Sequence, residues 1–148
     1  MVVKLSPVCW EKMLNAVEDV KQRTLRTAAA LEAQGVPYAV IGGNAVAAWV
    51  PRVDVGAVRN TRDVSILLRR DELDIVPAPY VSEFERGDDF QLLSLDALVR
   101  TKLVANRDKD RTHLRDMVQV GLIDATSPVK YPSPLAERLQ YIIDTPDG

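Results

Sequence analysis

Asp63 and Ser65 stand two residues apart in the stretch RNTRDVSILLRR, residues 59–70. Side chains two apart on a strand share a face, so a strand here presents a carboxylate and a hydroxyl side by side. Two carboxylates at that spacing would suit Mg²⁺, which takes oxygen ligands in near-octahedral geometry. One carboxylate beside a neutral hydroxyl carries too little charge for the same task. Upstream, Gly42 and Gly43 close the run VPYAVIG. Glycines between a strand and a helix let backbone N–H groups approach a phosphate, and the same glycines serve a tight turn that needs positive φ. The pattern Gly-x-x-x-x-Gly-Lys-Ser/Thr does not occur, which excludes a P-loop.

The elements that must position these residues are legible as periodicities. An N-terminal helix is expected over about 7–34, with Ser6 as cap, Pro7 in the first turn and Gly35 as stop. Its apolar stripe runs Trp10, Met13, Leu14, Val17, Val20, Leu25, Ala28, Leu31, so the helix is expected to pack along its length. VPYAVIG reads as the first buried strand and NAVAAWV as a short helix after the glycine turn. PRVDVGAVRNT reads as loop, and RDVSILLR as a strand covered on both faces. DELDIV is expected to make a helical turn broken by PAP. YVSEFERGDDFQLLS reads as a strand pair turned at Gly87. Leu95, Leu98, Leu103 and Val104 mark a helix, Asp108 caps the next, which ends at Gly121, and a final helix starts at Ser133. The fold class is therefore α/β in the α+β sense, a small mixed or antiparallel sheet flanked by helices. Residues 1–148 form one domain, with a C-terminal helical part over about 94–144.

Composition narrows the chemistry. The 148 residues are 47% hydrophobic and 27% charged, with a formal net charge of -2, which gives no global reason to bind nucleic acid. Aromatic residues make up 5%, too few for base-stacking platforms. Cys9 is the only cysteine and His113 the only histidine, so an internal disulfide and a Cys/His zinc site are both excluded. No signal peptide is visible and no window reaches the roughly 20 apolar residues of a membrane span; the expected compartment is the cytoplasm.

Basic residues are local. Arg52, Arg59, Arg62, Arg69 and Arg70 surround Asp63, and Arg100, Lys102, Arg107, Lys109, Arg111 and Arg115 fall on the helix pair. Asp108, Asp110 and Asp116 read as a cap and surface ion pairs on a solvated face, and His113 as a helix-surface residue. Trp10 and Trp49 read as apolar anchors, and Cys9 as a small apolar residue.

Taken in order, GGNAVAAW, NTRDVSILL and LDALVRTKLVANRDKDRTHLRDM resemble the nucleotidyltransferase superfamily, in particular bacterial members similar to abortive-infection toxin nucleotidyltransferases. Those proteins combine a Gly-Gly-x-Ala turn, a Thr-x-Asp-hydrophobic-Asp strand and a later helix pair bearing Lys, Lys-Asp and Asp. The likeness covers residues 38 to about 123. It implies Gly42 and Gly43 against a triphosphate, Asp63 as a Mg²⁺ ligand, Lys102 and Lys109 on the phosphate side of the cleft, and Asp110 and Asp116 bracing the helix. This sequence departs from the pattern twice. Ser65 replaces the second carboxylate, and the interval after the Asp63 strand is too short for the strand that carries the third. Glu83, Glu85, Asp88 and Asp89 are the acids that remain to replace it.

The expected protein is a nucleotide- or phosphate-binding nucleotidyltransferase fold whose Mg²⁺- and nucleoside-triphosphate-dependent transfer is lost or strongly reduced, with Asp63 a remnant. Two alternatives stay open: an active enzyme completed by an acid from 83–89, and a structural module that forms a homodimer. No nucleic-acid or toxin–antitoxin partner can be read from these residues.

Overall fold

The computed structural model describes residues 10–68 and 83–148, the side chains of Trp10, Lys12 and Met13 excepted. The expectations for Ser6, Pro7, Cys9, Arg69, Arg70, DELDIV and PAP lie outside the described residues. The elements run α1 (Trp10–Ala33), β1 (Tyr38–Ile41), α2 (Gly42–Trp49), two short 3₁₀ turns, β2 (Ser65–Leu68), β3 (Phe84–Arg86), β4 (Gln91–Leu93), α3 (Leu95–Ala105), α4 (Asp108–Gln119) and, after a third 3₁₀ turn, α5 (Ser133–Asp144). The sheet is mixed, in the order β2-β1-β4-β3. β1 runs antiparallel to β2 and parallel to β4, and β3 and β4 form the hairpin expected at Gly87. The fold is the small α+β architecture the sequence implies.

Helices hold the sheet through one core. Tyr38, Ala39 and Val40 of β1 and Leu92 and Leu93 of β4 pack with Leu98 and Leu103 of α3, Leu114 and Met117 of α4, and Leu139 and Ile142 of α5. Each large aliphatic side chain removed from water here contributes about 1.5–3 kcal/mol. Among the described side chains of α1, the buried ones lie from Val20 onward. Ala28 is fully buried and Val20 nearly so, while Leu14 is 67% and Val17 41% exposed. The expectation that α1 packs along its length is corrected accordingly. Its anchored end is tied to the sheet by a polar relay: the Tyr38 hydroxyl donates to Glu32 Oε1 at 2.6 Å and accepts from the Gln91 backbone N–H at 3.1 Å. Arg86 completes the relay by pairing with Glu32. The hydrogen bonds from Tyr38 and Arg86 hold the Glu32 carboxyl below its ordinary pKa.

Four further expectations are corrected. The strand begins at Ser65, so Asp63 precedes it. Pairing between β1 and β2 ends at Ile41 with Ser65, because the chain turns into α2 at Gly42 and leaves Asp63 no strand partner. β2 is covered only in part, with Leu68 exposed. Gly42 and Gly43 form the first turn of α2 instead of preceding it. Val104 is exposed, outside the buried stripe of α3.

Candidate functional site

β1, α2 and the segment before β2 meet at the paired glycines. Gly42 has φ 69°, in the left-handed region that favours glycine. A Cβ built there would lie 3.3 Å from both Cβ and Oγ of Ser65, and one on Gly43 would lie 2.9 Å from Thr61 Oγ1. Ser65 and Thr61 thus occupy the space that the missing glycine side chains leave. The N-cap of α2 is Ile41, which supplies no side-chain hydrogen bond, so the first-turn N–H groups keep their capacity for an anion. Asn44 Nδ2 donates to the Asp63 backbone oxygen at 2.7 Å. That bond fixes the main chain at Asp63 while its side chain sits on an exposed residue. Beside this junction, a cavity of about 240 Å³ opens between α1, α2 and residues 58–61, with Thr24, Asn44, Asn60 and Phe90 in its wall.

The donor set of the described residues does not fit a resident magnesium ion. Among the described residues no group of three His, Cys, Asp or Glu side chains comes together, and Ser65 offers only a hydroxyl. The two glutamates among the acids of residues 83–89 are held elsewhere. Glu83 pairs with Arg100, and Glu85 with Arg52 at 3.1 Å. β3 is three strand positions from β2, roughly 14 Å at the usual interstrand spacing.

The second concentration of chemistry is at the α3–α4 junction. Lys102 is 5% and Asp110 1% exposed. Lys102 Nζ lies 3.0 Å from Asp110 Oδ1 and 2.9 Å from His113 Nδ1. Since the ammonium only donates, His113 accepts at Nδ1 and carries its proton on Nε2. Arg107 Nε donates to Asp110 Oδ2 at 2.7 Å. Asp110 also accepts from the Arg107 backbone N–H at 3.3 Å, closing the first turn of α4. Burial works against ionisation of Asp110, but Arg107 and Lys102 together outweigh it and hold the carboxyl below its ordinary pKa. Burial lowers the pKa of Lys102 despite Asp110. Burial, then the Lys102 charge, lower that of His113.

One turn further on, Asp116 is 7% exposed, and its Oδ2 lies 2.6 Å from Arg59 Nε. The guanidinium N–H is not aimed along that contact, so Oδ2 has charge compensation without a hydrogen bond. Arg59 thereby ties the loop before β2 to α4. The expectation that Asp110, His113 and Asp116 lie on a solvated face is corrected: all three turn inward. Lys109 is exposed. Arg52 lies 4.6 Å from the centre of the Trp49 ring, and buried Trp49 donates from Nε1 to the Leu93 backbone oxygen at 3.0 Å. No family model, curated protein or solved structure matches this chain.

The structure therefore brings Gly42, Gly43, Ser65 and the Asp63 backbone to one junction, and Lys102 to another with Asp110 and His113. Sequence reasoning missed Asp110, His113 and Asp116 as interior groups. For the first two the signal was available: Leu114 and Met117 mark the buried face of α4, and Asp110 and His113 each lie four residues before one of them.

Proposed function

We propose that the protein is a nucleotidyltransferase-like binder of nucleotides or other phosphate compounds, with transfer activity lost or strongly reduced. One observation carries this reading: α2 opens on a glycine of positive φ with uncapped N–H groups, and a hydroxyl, Ser65, lies against that glycine. The amides suit an anion. Among the described residues the neighbouring side chains supply one exposed carboxylate, whereas Mg²⁺-assisted phosphoryl transfer rests on anionic ligands that position the ion.

Calorimetric titration with each nucleoside triphosphate, with and without Mg²⁺, tests the proposal. Binding at the glycine junction is expected in both conditions, and that component of the heat is expected to be lost in Gly43→Val, whose side chain enters the space held by Thr61. Strict dependence on Mg²⁺, together with transfer of labelled nucleotide that Asp63→Ala abolishes, would restore the active enzyme. Absence of heat with every nucleotide would leave the interaction module, a reading favoured by the exposed Leu14 and Val17 of α1.

A further inference from the structure

A groove of about 810 Å³ runs between α4 and α5 and shares no lining residue with the glycine junction or the cavity beside it. This volume is within the usual range for small-molecule sites. Three arginines line it: Arg111 and Arg115, one turn apart on α4, and Arg138 on α5. Each is braced by a backbone carbonyl. Arg111 Nη1 donates to Asn106 at 2.8 Å, Arg115 Nε to Thr145 at 2.8 Å, and Arg138 Nη1 to Leu103 at 2.8 Å.

Carbonyl oxygens fix a guanidinium without cancelling its charge. The entropy of ordering these long side chains is thus spent in folding and not again on binding. Arg111 is neutralised by Asp108. Arg115 and Arg138 have no acidic partner among the described residues. Each guanidinium keeps N–H donors beyond those used on the backbone, in the fork geometry that matches a phosphate.

The remaining wall is of a different kind. Tyr141 is 58% exposed although it lines the groove, and Ile142 and Pro134 continue the apolar surface. Glu137 accepts a hydrogen bond from the Ser133 hydroxyl at 2.8 Å and offers acceptor capacity for a ligand hydroxyl or N–H. We propose that this groove is a binding site for a phosphorylated small molecule bearing a planar ring, with its phosphate between Arg115 and Arg138 and its ring on Tyr141. The occupant is a small molecule because the groove is bounded by two helices and carries the side-chain carboxylates of Asp108 and Glu137, which oppose a continuous nucleic-acid backbone.

The test is calorimetry of the full chain with adenosine monophosphate, ribose 5-phosphate and adenosine at low salt. The two phosphorylated compounds are expected to bind and adenosine to bind at least ten-fold more weakly than the monophosphate. In the double variant Arg115→Gln/Arg138→Gln, which keeps an amide donor at the position of Arg115 Nε for the Thr145 carbonyl, affinity for both phosphates is expected to fall at least ten-fold. Tyr141→Ala, at an exposed position that leaves the fold intact, should weaken adenosine monophosphate while sparing ribose 5-phosphate. All of this binding should persist in Gly43→Val. Loss of binding in a Gly43→Val protein that keeps its helical circular dichroism, or in Gly43→Ala should Gly43→Val unfold, would assign the phosphate to the glycine junction and overturn the proposal. No binding at millimolar ligand, or affinities unchanged in both the double variant and Tyr141→Ala, would overturn it equally.

Discussion

Lys102 meets two partners of opposite character, a carboxylate and a neutral imidazole nitrogen, in a place water barely reaches. Burial disfavours the charged imidazolium, and protonating His113 would also set a second cation against the first, so its folded pKa lies below the ordinary value. Below about pH 6.5 the unfolded chain therefore binds a proton that the folded chain resists. Stability from this residue is present above that pH and is lost as pH falls toward the folded pKa. Urea unfolding at pH 7.5 and pH 5.5 is expected to give a lower midpoint at the acid value, with the difference reduced in His113→Gln, whose amide oxygen accepts from Lys102 without titrating. Asp110→Asn should be harsher. It leaves the buried ammonium without a counter-charge, a change that costs about 3–5 kcal/mol, read as a drop in urea midpoint at pH 7.5. These residues were misread as surface because their polarity was weighed alone; their register with Leu114 and Met117 was the better guide.

Among the elements, the β1–α2 junction shows how closely small residues specify a turn. Gly43 and Thr61 fill one volume between them. Gly43→Ala should lower stability by about 1–3 kcal/mol through overpacking, and Thr61→Ser, which removes the nearby methyl, should restore little of it because Oγ1 is the closest atom. Thr61→Gly should restore most. A double-mutant cycle by urea unfolding measures this coupling. The end of β1 and the starts of α3 and α5 were legible because Gly42, Ser94 and Ser133 punctuate the apolar runs. Asp63 was misplaced for a reason the strand period cannot reveal: ladder length depends on the partner, and β1 is only four residues long. The apolar period of α1 likewise records amphipathicity, and Leu14 and Val17 keep that period without burial.

At the scale of the molecule, α2, the sheet and the C-terminal helices share one core, while the two candidate binding regions lie apart on it. Occupation of one need not disturb the other, since the glycine junction involves β1, α2 and the segment before β2, and the arginine groove involves α4 and α5. The class of fold could be read from the sequence because it depends on the alternation of apolar periods. The groove could not, because it arises from three arginines and a tyrosine that converge only after α4 and α5 have docked. Trp49 offers a view of the interior: its indole donates to Leu93 in β4, and Arg52 covers its ring. In a Trp10→Phe background its fluorescence should be blue-shifted in the folded chain and move red in a single step with urea, coincident with loss of helical circular dichroism. A red shift that precedes the loss of helix would show α2 leaving the sheet before the core dissolves. The chain thus carries its own optical gauge of whether the glycine-bearing helix is seated, readable without any attached label.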